Sequence, residues 1–441
     1  MIPSLFGTDG IRGTVGTHPF TRETLPALGS ALAQWALETY GTHPRIMIAS
    51  DTRQSCAFIK AALASGLLQH SVKLYDTQIL PTPALCYITQ KMGIVDCGIM
   101  ISASHNLYSD NGIKIIDARR GKLSAYDEQR ITDLYTTHQF PEHPYHALGS
   151  HEYLFDAATH YSSALSALCT PQFLHGNTIV IDCANGALST LAPSVFEYFG
   201  AQVITLNNTP NGTNINEDCG ALHPRSTQAA VARYNADVGF AFDGDGDRVI
   251  AISKNGEIKD GDDMLALLLD HPRYCTTPTV VGTDMTNQGF LSFLKQRNIS
   301  LIRTKVGDKY IAQCLEQQQL ILGGEQSGHI IMRDYLDTGD GLCTALRVLE
   351  AMSITNNWDM NTFTKFPQLL INIPVAVKKD LSAPAIASII EQGNAQLKSG
   401  RLVVRYSGTE NVLRIMIEDD ELSYVQQLGN YVADALKQVL S

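Results

Sequence analysis

The stretch Arg45-Ile46-Met47-Ile48-Ala49-Ser50-Asp51 is an apolar run that ends in a polar turn, and a helical pattern and a second apolar run at 72–75 follow it. The same order recurs over 178–206 and over 279–303. A continuous apolar run is typical of a buried parallel strand, and a connection of this length accommodates one crossover helix. The sequence therefore predicts three β-α-β units, which unrelated α/β proteins also contain.

Each of these units is followed by a polar loop that contains glycine, serine or acidic residues. The loops are 102–106, 243–247 and 323–328, at comparable distances from the start of their units. Three related domains that each contribute one loop to a shared cleft would explain this arrangement. We expect an α/β fold of that kind.

The end of the chain follows a different pattern. Apolar runs at 367–377, 402–405 and 414–418 are typical of strands, and apolar residues recur at helical spacing over 422–440. This predicts a small C-terminal α+β domain with a polar loop of its own at 405–410. The predicted domains are three α/β domains over 1–150, 151–255 and 256–365, and the α+β domain over 366–441.

The composition limits the function and the compartment. A chain of 441 residues with a formal net charge of −11 is a poor general nucleic-acid binder, because such proteins need a basic face. Nine scattered cysteines, an odd number without metal-binding spacing, indicate reduced thiols. No apolar run approaches the roughly 18 residues of a membrane span, and the first residues lack a signal-peptide pattern. We therefore expect a soluble cytoplasmic protein that binds neither nucleic acid nor a membrane.

Asp243, Asp245 and Asp247 alternate with glycines between two apolar runs. Three carboxylates this close repel one another, and oxygen-only ligands favour a hard cation such as Mg²⁺. An EF-hand is excluded, because Arg248 and Lys254 stand where that loop requires glycine and glutamate. We predict a magnesium site here, and an acidic hairpin turn is the alternative.

Ser104 lies in the loop 102–106, after an apolar run. The sequence has no G-x-S-x-G motif around it, which disfavours a hydrolase nucleophile, while a turn or a helix cap remains an alternative. A serine that carries a phosphoryl group needs a cation and positioned donors, and the aspartate loop could supply the cation. Lys114 is close enough in sequence to act as acid or base if its pKa is lowered; otherwise it is a solvated surface lysine.

Two further loops have the composition of phosphate- and sugar-binding sites. The loop 405–410 and Arg414 offer a glycine turn, hydroxyls and arginines for a phosphate. The loop 323–328, followed by His329, offers a carboxylate, an amide and a hydroxyl that suit the hydroxyls of a sugar. Each could also be an ordinary turn. Because no nucleotide-binding glycine motif is present, the combination indicates phosphate transfer between a sugar and the protein.

Taken together, these motifs resemble the α-D-phosphohexomutase superfamily. The matching segments are 6–13, 102–106, 243–248, 323–329 and 405–410, in the order in which family members carry them. Gln326, followed by the segment 338–341, is similar to the branch of that family that acts on glucosamine phosphates. The resemblance implies four domains around a central cleft, three of them related α/β domains and the last built of antiparallel strands and helices.

The resemblance also implies roles for individual residues. It implies that Ser104 is phosphorylated in the active enzyme and that Mg²⁺ is bound by Ser104, Asp243, Asp245 and Asp247. It implies that Glu325 and Ser327 contact the sugar hydroxyls and that the phosphate-binding residues are Arg405, Ser407, Gly408, Thr409 and Arg414. Basic residues of the reaction centre would be Lys114, Arg12, Arg248 and His329.

The implied reaction interconverts glucosamine 6-phosphate and glucosamine 1-phosphate through a 1,6-bisphosphate, and it feeds UDP-N-acetylglucosamine and cell-wall precursor synthesis. The implied activator is hexosamine or glucose 1,6-bisphosphate, and a homodimer is compatible with the resemblance. One alternative is a mutase for mannose or glucose phosphates. Another is a non-catalytic sugar-phosphate-binding protein, which predicts a damaged serine or metal loop, and neither loop is damaged.

Two residues depart from the family pattern. Leu107 and Asn411 stand where family members usually have proline. Proline restricts the unfolded chain, so its loss is expected to loosen both loops.

Overall fold

The computed structural model describes residues 5–7, 9–137, 147–407 and 411–440. The chain divides into two compact units. The first contains residues 1–277 and 307–361, and the second contains residues 278–306 and 362–441. Within the described ranges, no helix is both long and apolar enough to cross a membrane. All nine cysteines are free, and seven of them are buried.

The first unit begins with a mixed sheet of seven strands. They are β1 (Ile11–Thr14), β2 (Arg45–Ser50), β3 (Lys73–Ile79), β4 (Cys97–Ile101), β5 (Asp110–Asp117), β6 (Gly121–Lys122) and β7 (Ser150–Tyr153). Their order is β1-β5-β4-β2-β3-β7, with β6 paired to β5. The helices of this region are α1 (Thr24–Tyr40), α2 (Ser55–Leu67), α3 (Thr82–Lys91) and α4 (Ala125–Thr137). A core that includes Trp35, Ile59 and Ile99 joins the helices to the sheet.

A second sheet of the same unit has five strands in the order β12-β11-β10-β8-β9. They are β8 (Thr178–Asp182), β9 (Gln202–Leu206), β10 (Val238–Phe242), β11 (Val249–Ser253) and β12 (Ile258–Lys259). The accompanying helices are α5 (Ala157–Ser166), α6 (Leu191–Tyr198), α7 (Arg225–Tyr234) and α8 (Gly261–Leu268), with a short 3₁₀ helix at Gly220–Leu222. The parallel strand β8 and the hairpin β10–β11 place the loop 243–247 at one end of this sheet.

Residues between 278 and 361 contribute to both units. To the second unit belong β13 (Thr279–Thr283), α9 (Gln288–Gln296) and β14 (Ser300–Thr304). To the first belong α10 (Asp308–Gln317), β15 (Leu322–Gly324), β16 (Ile330–Met332) and α11 (Gly341–Thr355). The antiparallel hairpin β15–β16 carries the loop that contains Glu325 and Ser327.

The three predicted β-α-β units are confirmed. In each, the first strand pairs in parallel with the strand that follows its helix, beginning at Arg45↔Lys73, Thr178↔Gln202 and Thr279↔Ser300. The continuous apolar strands are buried because helices cover the sheet, as the sequence pattern indicates.

The predicted α+β character of the chain's end is also confirmed. The elements are β17 (Gln368–Pro374), α12 (Pro384–Gln396), β18 (Arg401–Tyr406), β19 (Val412–Glu418) and α13 (Leu422–Leu440). The strands form an antiparallel sheet in the order β17-β19-β18. Its core includes Ile373 and Ile415 of the sheet and Val432 of α13, so the apolar face of the sheet packs against the apolar face of the helix.

Candidate active site

The three aspartates of the loop 243–247 converge in the structure. Asp243, Asp245 and Asp247 are all buried, and each offers a carboxylate oxygen within 4.8 Å of the others. Burial raises the pKa of Asp243 well above its ordinary value, and repulsion from Asp247 and Asp245 raises it further. The loop is therefore electrostatically costly without a compensating positive charge.

The donor set of this loop fits a metal ion. In the described part of the chain, Oδ1 of Asp245 and Oδ1 of Asp247 are buried and have no hydrogen-bond partner. Unpartnered carboxylate oxygens in close proximity are the ligands that a hard divalent cation takes. The residues present can therefore hold a metal ion at this loop.

Ser104 follows the buried strand β4 and faces the aspartate loop. Its side chain is buried, and its Oγ donates a hydrogen bond to Oδ2 of Asp243 at 2.6 Å. Its backbone has a φ of +53°, in the left-handed region that a serine rarely adopts. The structure thus brings the predicted serine and the predicted metal loop into direct contact.

Lys114 lies on β5 and is buried, so it is not a solvated surface lysine. Its Nζ is 3.0 Å from Oδ2 of Asp245, 3.1 Å from Oδ2 of Asp247 and 3.3 Å from Oδ2 of Asp9. Burial acts to lower the pKa of Lys114, but these carboxylates outweigh it and raise the pKa well above its ordinary value. The condition for an acid or base role of Lys114, a lowered pKa, is therefore not met in this arrangement, and Lys114 is a fixed cation in this state of the site.

The two arginines predicted for the reaction centre lie at the same end of the first unit. Nη2 of Arg12 is 2.7 Å from Oδ2 of Asp9. The main-chain N–H of Arg248 donates to Oδ1 of Asp243 at 3.1 Å. Among the described residues, neither Nε atom has a hydrogen-bond partner, although both are buried. Buried guanidinium donors of this kind suit the oxygens of a phosphoryl group.

His329 is buried between carboxylates and a main-chain donor. Burial acts to lower its pKa, but the carboxylates of Asp247 and Asp308 raise it above the ordinary value. The N–H of Gly339 donates to Nε2 at 3.1 Å, which requires a lone pair there. The raised pKa favours the protonated ring, whereas the hydrogen bond at Nε2 requires the neutral ring. In the neutral ring the proton is then on Nδ1, which is 3.6 Å from Oδ1 of Asp247.

The loop between β15 and β16 presents the predicted sugar-binding groups. Oε1 of Glu325 accepts a hydrogen bond from the N–H of Gly307 at 3.0 Å. The Oγ of Ser327 is buried and has no hydrogen-bond partner in the described ranges. The main-chain oxygen of Gln326 accepts from the N–H of Gly261 at 3.0 Å, so the backbone of this loop is anchored to α8.

The predicted phosphate-binding residues lie in the second unit. Arg405 on β18 stands opposite Arg414 on β19, and both line a cavity of about 250 Å³ together with Asn372 and Met285. The main-chain oxygen of the buried Ser407 accepts a hydrogen bond from Lys378 Nζ at 2.7 Å. The predicted residues Gly408 and Thr409 lie outside the described residues.

Four charged or polar residues of the first unit join the site without having been predicted. Thr82 donates from its Oγ1 to Oδ2 of Asp245 at 2.6 Å. Nζ of Lys122 contacts Asp308 and lies 3.1 Å from Oδ1 of Asp9. Because Asp9 also contacts Lys114, it bridges these two lysines. A signal for Asp9 was its place in the motif 6–13. No pattern of hydrophobicity or spacing distinguishes the other three from surface residues.

Family models match the chain from end to end. The description "Phosphoglucomutase/phosphomannomutase, alpha/beta/alpha domain" applies to residues 3–142 as domain I, 159–256 as domain II and 260–367 as domain III. The C-terminal domain of the same family matches residues 370–435. The chain belongs to the phosphoglucomutase/phosphomannomutase family. It is a phosphohexose mutase, an intramolecular phosphotransferase of the isomerase class.

Individual relatives agree with this assignment. The chain is 41% identical over 446 residues to a phosphoglucosamine mutase of Acinetobacter baylyi, covering 98% of this chain and 99% of the relative. A phosphoglucomutase/phosphomannomutase family protein of Burkholderia thailandensis has the same fold, with a TM-score of 0.81, 22% identity and coverage of 99% and 97% of the two chains. Aspergillus fumigatus N-acetylphosphoglucosamine mutase, solved with GlcNAc-6P and magnesium, matches with a TM-score of 0.66, 17% identity and coverage of 99% and 96%.

Proposed function

We propose that this chain interconverts glucosamine 6-phosphate and glucosamine 1-phosphate through a phosphorylated Ser104 and a 1,6-bisphosphate intermediate. The observation that carries the proposal is the contact between Ser104 Oγ and Asp243 at 2.6 Å, at a buried acidic loop in a phosphohexose mutase. The 41% sequence identity to a phosphoglucosamine mutase, over 98% of this chain, supports the choice of sugar. The product of the proposed reaction would feed UDP-N-acetylglucosamine and cell-wall precursor synthesis.

Asp243, Asp245 and Asp247 would hold Mg²⁺, with Ser104 or its phosphate completing the ligands. Bound there, the ion would offset the negative charge of the phosphoryl oxygens during transfer. Magnesium in the complex of the Aspergillus fumigatus protein supports this choice of ion. Lys114 adds a fixed positive charge beside the same carboxylates.

In the first transfer, a hydroxyl oxygen of the sugar monophosphate forms a bond to the phosphorus as the bond between phosphorus and Ser104 Oγ breaks. The hydroxyl proton passes to a base of the surrounding cluster, and the same cluster returns one proton to Ser104 Oγ, so that no proton is gained or lost. The restored hydroxyl then donates a hydrogen bond to Asp243. The second transfer is the reverse reaction at the other phosphate of the bisphosphate. Arg12 and Arg248 are half-buried, and their buried Nε atoms would donate to the phosphoryl group and orient it.

One non-reacting phosphate is present in each transfer, and Arg405 and Arg414 would bind it together with Ser407, Gly408 and Thr409. Glu325 and Ser327 would bind sugar hydroxyls in both orientations of the intermediate. Hexosamine or glucose 1,6-bisphosphate would serve as activator, because it phosphorylates Ser104 directly.

The proposed organisation has domains at 1–150, 151–255, 256–365 and 366–441 in a cytoplasmic enzyme. Four successive matches to family domains support it. Selection of the amino sugar would come from groups near its C2. The loop that contains Gln326 is the candidate for this selection, and its main chain is anchored to α8.

Purified protein tested with the 6-phosphates of glucosamine, mannose and glucose decides the substrate. We expect the highest kcat/KM with glucosamine 6-phosphate, by roughly ten- to a hundredfold, since one polar contact contributes on the order of 1–3 kcal/mol. Intact mass should show a phosphorylated fraction that maps to the Ser104 peptide. Equal or better efficiency with mannose 6-phosphate would assign the chain to a mannose-phosphate mutase instead.

A further inference from the structure

Arg53 and Asp51 form a buried ion pair behind Ser104 that the proposed reaction does not use. Arg53 Nε lies 2.9 Å from Oδ2 of Asp51, and neither side chain is exposed to solvent. Burying two charges removes much of their hydration, so such a pair contributes little to stability by itself. Its hydrogen bonds to the surrounding chain indicate what it does.

The guanidinium of Arg53 donates to four main-chain oxygens of the segment from Ser104 to Asp110, which we call the serine loop. Nη2 donates to the oxygens of Ser104 at 2.9 Å and Asn106 at 2.8 Å. Nη1 donates to the oxygens of Leu107 and, at 3.2 Å, of Asp110. A rigid planar group with five N–H donors can make these contacts at once, whereas a lysine ammonium has three donors on a flexible stem.

The carbonyl of Ser104 is also held by Asn216, which lies between β9 and the 3₁₀ helix at Gly220–Leu222. Nδ2 of the buried Asn216 donates to the oxygen of Ser104 at 2.8 Å and to that of Asn106 at 3.0 Å. The metal loop packs against the same carbonyl and leaves no room for a side chain there, because a Cβ added to Gly244 would lie 2.8 Å from the Ser104 oxygen. Arg53, Asn216 and the glycine of the metal loop therefore meet at this one carbonyl group.

The amide of Ser104 is fixed through Asp51. Ser102 Oγ donates to Oδ2 of Asp51 at 2.6 Å and accepts the N–H of Ser104 at 2.9 Å. Both peptide groups of Ser104 are thus held by buried partners. The left-handed backbone is unfavourable for a non-glycine residue such as Ser104, and it persists only where such contacts enforce it.

We propose that Arg53, together with Asp51, Ser102 and Asn216, is a positioning clamp that holds the backbone of Ser104 so that its Oγ is directed at the aspartate loop. Leu107, whose side chain is exposed, takes part in the clamp through its carbonyl. The inference rests on the proposed role of Ser104. Arg53 and Asn216 act through Ser104 and are not among the residues proposed to bind the substrate.

The consequence is a selective effect on turnover. Phosphoryl transfer depends on alignment of the reacting atoms, and a displacement of about 1 Å can reduce a rate by roughly a hundredfold. The sugar and its second phosphate are bound by other groups in the proposed function. A loosened clamp should therefore lower kcat and leave KM nearly unchanged.

The first test compares Arg53→Lys with Arg347→Lys. Arg347 is also a buried arginine, with Glu350 at 2.6 Å and the oxygen of Leu168 at 3.0 Å, but it does not touch the serine loop. We expect kcat of Arg53→Lys to fall by at least about tenfold, with KM within about twofold of the unchanged protein. Arg347→Lys should lower Tm to a similar extent and keep kcat within about twofold.

The second test uses Asn216→Ala, which removes the clamp's other donor and leaves the ion pair intact, so that it decides the question even if Arg53→Lys fails to fold. It should also lower kcat by at least several-fold without raising KM. The double variant should lose less than the product of the two single losses, because both residues act on the same carbonyls.

The unchanged protein is measured first for mutase activity and for phosphorylated Ser104 by intact mass. Absence of both overturns the proposed function and the clamp with it. If the unchanged protein is active and phosphorylated but Asn216→Ala and folded Arg53→Lys keep kcat within about twofold, the clamp alone is overturned. A loss of kcat that follows Tm equally in Arg53→Lys and Arg347→Lys would also overturn it.

Discussion

The aspartate loop of the first unit and the arginine pair of the second unit hold charge in opposite ways. Asp243, Asp245 and Asp247 are buried, and Lys114 is packed against two of them. Arg405 and Arg414 are half-buried and line an open cavity. The aspartate loop therefore holds carboxylates and an ammonium group close together and away from water. The arginine pair presents two positive charges to a cavity of about 250 Å³.

The difference indicates which step each region controls. Electrostatic interactions strengthen where water is excluded, so fixed buried charges act strongly on a transition state. Charges beside solvent are screened and contribute mainly to binding an oppositely charged group. Substitutions in the first unit should therefore change kcat most, and those in the arginine pair should change KM.

The largest effect is expected at Ser104. Ser104→Ala should reduce turnover by at least about a thousandfold, because it removes the atom proposed to carry the phosphoryl group. The fold should remain, since a small loop side chain contributes little packing. Ser189→Ala is a matched control, because Ser189 is also a buried loop serine whose hydroxyl donates to a carbonyl, that of Gly186 at 2.7 Å. Near-normal turnover of Ser104→Ala in a stopped assay would contradict a covalent serine.

The next effect concerns the metal loop. Chelation should abolish activity, and added Mg²⁺ should restore it. Asp245→Asn should raise the Mg²⁺ concentration for half-maximal activity by at least the roughly ten- to hundredfold that loss of a ligand-orienting group typically costs. The control is Asp182→Asn, a buried aspartate at the end of β8 that accepts main-chain N–H groups of Ala184 and Gly220. Full activity in dialysed, metal-free protein would require another role for the three aspartates.

A smaller effect is expected in the arginine pair. Arg405→Ala should raise KM for both monophosphates by roughly ten- to a hundredfold, as a charge-assisted hydrogen bond contributes on the order of 1.5–3 kcal/mol. The change in kcat should be much smaller. Arg401→Ala, four residues earlier in β18, removes an ion pair with Glu418 at 2.5 Å and should lower stability without this effect on KM. An effect on only one of the two monophosphates would contradict a single shared phosphate site.

The same contrast explains which parts of the molecule the sequence predicted. Strands such as 45–50 are continuous apolar runs, and their parallel pairing follows from burial on both faces. The aspartate loop was predictable because three carboxylates in five residues have few stable arrangements without a cation. Both signals are local in the chain.

The unpredicted parts depend on contacts between residues distant in sequence. Lys114 is buried against Asp245, 131 residues away, and its pKa direction follows from that contact rather than from its neighbours in the chain. Arg53 and Asn216 meet at Ser104 although they lie in different sheet regions. Only the folded positions of such residues reveal them.

The last expected effect is on stability rather than activity, and it compares two carboxylates as a function of pH. Asp340 in the first unit is buried, which raises its pKa to about 6 even though Tyr161 and the N–H of Cys343 donate hydrogen bonds to it. For Asp419 in the second unit, burial is outweighed by main-chain N–H donors, including those of Lys398 and Ser399, and its pKa is lowered.

A group with a raised pKa binds its proton more tightly in the folded state, so its contribution to stability falls as pH rises from about 4 through about 6. For Asp340 the full span corresponds to about 3 kcal/mol. Asp340→Asn should therefore gain stability relative to the unchanged protein over this range and keep a constant difference above it.

Asp419→Asn should behave oppositely: it lacks a contribution that is present above the unfolded pKa of aspartate and is lost only as pH falls through the lowered folded value. Urea unfolding of both variants between about pH 3 and 7.5 measures the two slopes, that of Asp419→Asn in the acidic part of the range and that of Asp340→Asn between about pH 4 and 6. Parallel curves for Asp340→Asn and the unchanged protein would show that burial does not raise the pKa of Asp340.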